Sequence, residues 1–140
     1  MKSLAIQQTL FQPTESFELD SFLNDIGQRR LRRSQERALE LCGNIIEIIA
    51  ALFNVPSKEL RSPHRTSQSI AQVRQIAMYV AHVVMRLSMK EVGLGFDRDR
   101  TTVLYACHQV EDQRDDIEFD QMIVRAERVT AAALADRLEG

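Results

Sequence analysis

Cysteine pairs, metal-ligand patterns and long apolar runs are missing from this sequence, and each absence excludes a class of protein. Only two of the 140 residues are cysteines, Cys42 and Cys107, and they form neither a CxxC pattern nor a metal-ligand spacing. We therefore predict two buried thiols in a reducing cytoplasm, with no disulfide and no bound metal. No apolar run reaches the roughly 18 residues of a membrane helix, and residues 1–10 lack the pattern of a signal peptide, so no membrane partner is expected.

Signs of catalysis are missing as well. The chain contains no GxxxxGK loop of the kind that holds nucleotide phosphates. Its acids and histidines show no nucleophile–base arrangement. We predict that the protein is not an enzyme and needs no cofactor, so its function has to be inferred from charge and helix patterns.

Charge is distributed unevenly along the chain. The formal net charge is −2, yet residues 28–110 carry thirteen Lys or Arg and seven acids, while residues 1–27 and 111–140 are net acidic. Because nucleic-acid binding follows the local potential rather than the total, the basic centre can still contact phosphate. The arginine cluster near residue 30 is compatible with three interpretations: a solvated helix face, a contact to DNA phosphate, or a contact to an acidic protein partner. The four arginines concerned are Arg29, Arg30, Arg32 and Arg33.

Helical periodicity divides the chain into three parts. Residues 1–20 form either a flexible arm or a docking segment, and residues 21–113 form the main domain, led by a long basic helix from Ser21 to Phe53. Residues 114–140 are expected to form an acidic helix that packs on the back of the domain or serves self-association. The apolar anchors of a docking segment would be Leu10, Phe11, Phe17 and Leu19.

The stretch at residues 88–111, SMKEVGLGFDRDRTTVLYACHQVE, has the pattern of two short helices joined by a tight turn. Asp99 is well placed to cap the second helix by accepting backbone N–H bonds. This is the layout of a helix-turn-helix, whose second helix enters the DNA major groove by its N-terminal residues. Apolar residues recur at helical spacing in both halves, at Met89, Val92 and Phe96 and at Val103, Ala106, Cys107 and Val110.

The run DRTTVLYAC from Asp99 to Cys107 resembles the signature of the DNA-binding domain of DnaA, the bacterial replication initiator, which usually reads RDHTTV. The similarity extends to residues 52–60, LFNVPSKEL, and to residues 69–78, SIAQVRQIAM, and so covers about residues 40–113. It implies an all-α helical bundle that binds double-stranded DNA at DnaA-box-like sites. Such a protein would act in the cytoplasm at the nucleoid, modulating replication initiation or transcription without hydrolysing nucleotide.

The resemblance also implies which residues contact DNA. Arg100 stands where the family has histidine, and an arginine can make a bidentate contact to guanine. Thr101 and Thr102 offer hydroxyl and methyl contacts, whereas Asp99 either accepts from cytosine or only caps the helix. The remaining expected contacts lie in the loop, the preceding helices and the far end of the recognition helix, at Arg65, Arg74, Gln75, Lys90, Arg98 and His108.

Two departures from the family pattern favour an alternative function. In the loop from His64 to Gln68 only Arg65 is an arginine or lysine, and the turn before the recognition helix is one residue shorter. Together with the acidic ends, these departures fit a DnaA-related regulator that acts through another replication-initiation protein and binds DNA weakly. The sequence leaves both functions open.

Overall fold

The computed structural model describes the backbone of residues 13–138 and the side chains of residues 18–138. Over that range the chain is helical and contains no strand, which confirms the predicted all-α class. None of the described helices is both long and apolar enough to cross a membrane. The seven helices are α1 (Pro13–Phe53), α2 (Ser57–Arg61), α3 (Gln68–Val83), α4 (Met89–Phe96), α5 (Arg100–Gln113), α6 (Ile117–Ala133) and α7 (Ala135–Leu138).

The chain divides into two compact units between Ser34 and Gln35, inside α1. We call residues up to Ser34 the N-terminal unit and the rest the core unit. Helix α1 begins at Pro13, so the prediction of a helix from Ser21 was too short and residues 13–20 are helical rather than an arm. Proline fits the first turn of a helix because its missing N–H has no intrahelical partner there. The proposed anchors Leu10 and Phe11, and the side chain of Phe17, lie outside the described residues.

The core unit is built around the apolar faces of α1 and α3. Fully buried side chains recur at helical spacing on both, and α4, α5 and α6 each add at least one more. Burying one such side chain stabilises the fold by roughly 1.5–3 kcal/mol. The largest of them include Leu41, Ile45, Ile49, Ile76, Val80, Val92, Val103, Val110 and Ile123.

Local hydrogen bonds fix the start of the helix-turn-helix and the turn between its two helices. Ser88 and Glu91 form a capping box at the start of α4, each side chain accepting from the backbone N–H of the other. Asp97 ends α4 in the left-handed region at φ 54°, and the Arg98 N–H donates to the Gly93 carbonyl at 2.9 Å. The chain therefore reverses within a few residues and presents α5 in a fixed orientation to α4.

A glycine lets α4 approach α1 closely. A Cβ atom added to Gly95 would lie 2.3 Å from Cys42 Sγ and 2.4 Å from Cys42 Cβ, which no real side chain tolerates. Helix α4 therefore packs against Cys42 of α1 through the backbone of Gly95, with no side chain between them.

The C-terminal segment packs on the core unit, which is one of the two expected alternatives. After α5 ends at Gln113, Asp116 caps α6 by accepting from the N–H groups of Glu118 and Phe119. The segment forms two helices rather than the single one predicted, because α6 ends before Leu134 and α7 begins after it. Buried residues Ile123, Ala126 and Leu134 turn towards the core. At the end of the chain Arg137 pairs with Glu40 of α1 at 2.5 Å, and Arg37 donates to the Arg137 carbonyl at 3.1 Å.

Candidate nucleic-acid interface

Helix α5 has one buried face and one face that is open to solvent. The side chains of Arg100, Thr101 and Thr102 are exposed at its first turn, and His108 is exposed two turns later. Its opposite face is buried in the core, as the apolar spacing predicted. The exposed residues are therefore held on a rigid helix whose N-terminal end is available to a partner.

Asp99 organises the start of α5. Its Oδ1 atom accepts from the Thr102 N–H at 2.8 Å and from the Thr101 hydroxyl at 2.7 Å. Hydrogen bonds from Thr101 and Thr102 hold the pKa of this carboxyl below its usual range, so it is ionised at neutral pH. Of the two roles left open for Asp99, the helix cap is the one present in the structure. The Thr101 hydroxyl donates its proton to that cap, so towards a partner it can act only as an acceptor.

Arg98 joins the turn of the helix-turn-helix to the loop between α2 and α3. Its Nη2 atom donates to the Ser62 carbonyl at 2.8 Å, and its Nη1 atom donates to the carbonyls of Phe96 and Asp97 at 3.1 and 3.2 Å. The side chain is half-buried. This guanidinium therefore positions the loop relative to α5. It also lies close to the exposed first turn of α5.

Arg74 lies inside the fold rather than on the surface, where a phosphate contact was expected. It is 7% exposed, and its Nε atom donates to the Leu60 carbonyl at 3.0 Å. Its Nη2 atom donates to the Glu59 carbonyl at 2.9 Å and to Thr66 Oγ1 at 3.2 Å. Burial lowers the pKa of this guanidinium, and the charge of Arg98 lowers it further. Arg74 therefore connects α3 to the end of α2, before the loop, and to Thr66 near the end of the loop.

The loop and α3 enclose an open groove that brings three of the predicted site residues together. Arg65 is exposed on the loop, while Arg74 of α3 and Arg98 of the turn between α4 and α5 also line the groove. No carboxylate accepts from Arg74 or Arg98 in the described part of the chain, since their acceptors are carbonyls and a hydroxyl. The groove lining includes Pro63, His64, Arg65, Thr66, Arg74 and Arg98. It is a basic recess suited to an anion.

The remaining predicted residues are not drawn into this group. Gln75 is half-buried on α3, and Lys90 is exposed on α4. The four clustered arginines, Arg29, Arg30, Arg32 and Arg33, are exposed in the N-terminal unit, where Arg29 pairs with Asp25. The described residues contain no cluster of three or more His, Cys, Asp or Glu side chains that could hold a metal ion.

Two large side chains on the open face of α5 were not among the predicted site residues. Tyr105 is 60% exposed and Leu104 is 41% exposed, one turn beyond Thr101 and Arg100 respectively. Their spacing of four from the expected contacts was visible in the sequence. Tyr105 was predicted to lie on the side of the helix away from the core, but neither it nor Leu104 was assigned a contact.

Comparison with known proteins agrees with this geometry and confirms the predicted resemblance. Residues 42–110 match the family described as bacterial dnaA protein helix-turn-helix. The chromosomal replication initiator protein DnaA of Mycobacteroides abscessus is 32% identical over 110 residues, which are 79% of this chain and 22% of that protein. This chain therefore spans about a fifth of the length of that relative.

A solved structure shares the fold. It is described as replication initiator DnaA bound to AMPPCP and single-stranded DNA, and it superposes with a TM-score of 0.58 at 24% identity. The match covers 79% of this chain and 31% of that one. At this level of identity the likeness concerns the fold alone.

Proposed function

Since residues 42–110 belong to the helix-turn-helix family of bacterial DnaA proteins, we propose that this chain binds double-stranded DNA at DnaA-box-like sites. The observation that carries the proposal is the first turn of α5, where Arg100, Thr101 and Thr102 are exposed above a buried apolar face. The N-terminal residues of such a helix are the ones that reach base edges in the major groove. Through this binding the protein modulates replication initiation or transcription in the cytoplasm, at the nucleoid, and hydrolyses no nucleotide.

Base recognition is assigned to the exposed residues of α5. Arg100 can donate two hydrogen bonds to guanine O6 and N7. The Thr101 methyl group suits the thymine methyl, because its hydroxyl is engaged by Asp99. His108 lies farther along the helix and serves the phosphate edge.

The loop supplies a second contact through Arg65. Narrow A·T tracts attract arginine into the minor groove, and Arg65 is the exposed arginine of this loop. Arg74 and Arg98 act on this contact indirectly: Arg98 holds the Ser62 carbonyl of the loop, and Arg74 holds the Leu60 carbonyl at the end of α2 and the Thr66 hydroxyl of the loop. Among the other expected contacts, Lys90 and Gln75 are proposed to meet phosphates beside the recognition helix.

The test is competition binding of the full chain to a DnaA-box duplex and a scrambled duplex. Arg100→Ala should cost about 1–3 kcal/mol on the box and much less on the scrambled duplex, because a bidentate base contact carries sequence information. Arg100→His, which restores the usual family residue, should shift preference towards ordinary DnaA boxes. Arg128→Ala is the matched control, since it removes one exposed arginine from α6.

Loss on the box alone would make Arg100 a base contact, and two other outcomes are possible. Equal loss on both duplexes would make it a phosphate contact rather than a base contact. Unchanged binding to both, with Arg100→Ala still folded, would remove α5 from the interface and defeat the proposal.

A second candidate function is regulation through another replication-initiation protein, with weak DNA binding. It is favoured by the loop, where two of the three groove arginines are committed to backbone carbonyls and only Arg65 is exposed. It is also favoured by the exposed Tyr105, because tyrosine is enriched in protein interfaces. Absence of box preference at low salt, together with saturable binding to an initiation protein, would establish this function instead.

A further inference from the structure

An apolar stripe runs along the N-terminal unit and is exposed. Leu19, Phe22 and Leu23 are 57%, 58% and 56% exposed, and Ile26 is half-buried on the same side of α1. Their spacing of three, four and seven residues places them on one face of the helix. A helix gains most of its stability by burying such a face, so an exposed stripe of this kind marks a surface that takes a partner.

Charge along this helix is segregated by sign. Residues 18–25 contain three acids and no basic residue, whereas residues 29–33 contain four arginines and no acid. Arg30 and Arg33 continue the line of the stripe, because they follow Ile26 at intervals of four and three. Their aliphatic stems extend the apolar surface while their guanidinium groups remain available to acids.

The flanks of the stripe are charged asymmetrically. At 100° per residue, Glu18, Asp25, Arg29 and Arg32 all fall on one flank, and the other flank has Asp20 as its charged residue. Two helices that pack antiparallel about a two-fold axis bring the same flank of each copy together. Two parallel helices instead bring opposite flanks together.

We infer that this stripe pairs with the same stripe of a second copy of the chain, in an antiparallel arrangement centred near Ile26. In that arrangement Glu18 of one copy lies beside Arg32 of the other, and the Asp25–Arg29 ion pair within each copy lies beside the same pair of its partner with opposite charges adjacent. A parallel pair would place Glu18 of one copy beside Asp20 of the other and oppose like charges, which is unfavourable. The sign pattern therefore selects both the partner and its direction.

The pairing surface is small, which sets the strength of the association. Residues 18–33 span roughly 24 Å of helix, and four apolar side chains per copy bury less than the ~800 Å² per partner of a standard interface. The dimer is therefore reversible and dissociates on dilution. Its existence does not depend on DNA binding, because none of the residues of the stripe is a proposed DNA contact.

Sedimentation of the full chain without DNA, over a wide concentration range, tests the pairing. The wild type should pass from monomer to dimer, and Leu23→Gln should raise the dissociation constant on the order of tenfold or more, since each copy loses a buried leucine. Leu31→Gln is the matched control: Leu31 is also 56% exposed, but it lies roughly 130° around the helix from the stripe. A wild type that stays monomeric, or equal weakening by both variants, would overturn the inference.

Crosslinking with a short bismaleimide tests the direction. Cys42 and Cys107 are buried, so an introduced surface thiol reacts selectively. Ile26→Cys should crosslink efficiently, because the two copies meet there. Leu19→Cys should not, because the two thiols lie roughly 20 Å apart in an antiparallel pair. Efficient crosslinking of Leu19→Cys would instead show a parallel pair.

Two other occupants of the stripe are separate outcomes of these experiments. If the wild type is monomeric and Leu23→Gln abolishes its binding to anionic lipid vesicles, the stripe faces a membrane. If Leu23→Gln leaves the mass unchanged and weakens binding to a purified replication-initiation protein, the stripe docks that protein. Either result refutes pairing between copies.

Discussion

Arg65 and Arg74 stand nine residues apart in the sequence and have opposite surroundings. Arg65 is exposed on the loop, whereas Arg74 is 7% exposed and donates three hydrogen bonds within the fold. Two of these bonds end on backbone carbonyls of the segment before the loop. A buried guanidinium with such partners acts on the interface by holding the loop in place.

This difference predicts separate effects of the two arginines. Arg74→Ala should lower the free energy of unfolding by about 1.5–3 kcal/mol, the scale of hydrogen bonds to a charged group, whereas Arg65→Ala should change it by about 0.5 kcal/mol or less. On DNA, Arg65→Ala should reduce the slope of log K against log salt by about one, because a cation that displaces a counterion when it enters the minor groove is lost. Arg74→Ala should weaken binding without changing that slope.

Urea unfolding and salt titrations on one duplex measure both quantities. Arg74→Lys serves as a control, since it keeps the charge and loses the planar fork that reaches several acceptors. A reduced salt slope in Arg74→Ala with unchanged stability would return Arg74 to the list of phosphate contacts.

The sequence could not separate these two arginines, for a physical reason. Arg74 sits beside Val73 and one turn after Ile70, both buried, so its position on α3 is compatible with either face of the helix. Which way it points depends on the carbonyls of Glu59 and Leu60, and these come from another element. The Asp99 cap, by contrast, involves residues within three positions and was predictable from the local pattern.

At the scale of elements, the close approach of α4 to α1 depends on one glycine. A Cβ atom added to Gly95 would overlap both the Cβ and the Sγ atoms of Cys42. Burial raises the pKa of the Cys42 thiol to about 12, and the charge of Glu91 contributes to that rise, so this thiol stays protonated. A neutral, immobile side chain therefore faces the backbone of α4.

Gly95→Ala should destabilise the core unit by about 1–3 kcal/mol, because the overlap forces α4 away from α1. Gly43→Ala is the matched control within α1: its added Cβ would meet one atom, Arg61 Nη2, at an ordinary 3.8 Å. Alanine there should stabilise the helix by about 0.5–1 kcal/mol. Thermal unfolding of the two variants should thus shift the midpoint in opposite directions.

Removing the cysteine sulfur does not relieve the overlap. The Cys42 Cβ is as close to the added atom as its Sγ is, so Cys42→Ala should fail to restore Gly95→Ala. Full restoration by Cys42→Ala would show that the helices approach less closely than the structure has them.

Helix existence was easier to predict than helix boundaries. The apolar spacing in α4 and α5 predicted both helices of the helix-turn-helix, because their buried faces follow a helical period. The start of α1 at Pro13 was missed, since proline was taken as a sign of a loose arm. The boundary after Gln113 was predicted, but the break at Leu134 between α6 and α7 was missed, because Leu134 and Leu138 continue the helical spacing across it.

At the scale of the whole molecule, the segment beyond the matched residues 42–110 completes the core unit. Arg114, between α5 and α6, is its central contact with α3. The Arg114 Nε atom donates to Asp120 at 2.5 Å, and its Nη1 atom donates to the Tyr79 hydroxyl at 2.9 Å and lies 3.3 Å from Glu127. The Tyr79 hydroxyl in turn donates to Glu111 at 2.5 Å.

These contacts form one coupled group. Burial, and then the hydrogen bond to Glu111, raise the pKa of Tyr79 to about 12, so its hydroxyl keeps the proton that it donates. Burial alone would lower the pKa of Arg114, but its bonds to Asp120 and Tyr79 and the charge of Glu127 raise it overall. A permanent cation thus lies beside two carboxylates of α6 and is linked to Glu111 of α5 through the Tyr79 hydroxyl.

The group predicts that Arg114 stabilises the attachment of the C-terminal helices. Arg114→Ala should lower the free energy of unfolding by about 1–3 kcal/mol, because it leaves Asp120 and Glu127 without their shared cation and removes the donor to the Tyr79 hydroxyl. This loss is smaller than that for a fully buried ion pair, because the Asp120 side chain is 40% exposed and solvent screens its charge. Tyr79→Phe should cost less, because it keeps the ring, whose centroid lies 5.9 Å from the guanidinium carbon.

Urea unfolding of the full chain, followed by helical circular dichroism, measures these changes. A double-mutant cycle of Arg114→Ala with Tyr79→Phe should give a coupling of about 0.5–3 kcal/mol, the range for residues in one network. Arg128→Ala removes an exposed arginine of α6 and should cost about 0.5 kcal/mol or less. If Arg114→Ala behaved like Arg128→Ala, the C-terminal helices would be attached without a contribution from Arg114, by their buried apolar side chains and by the contacts of Arg137 with α1.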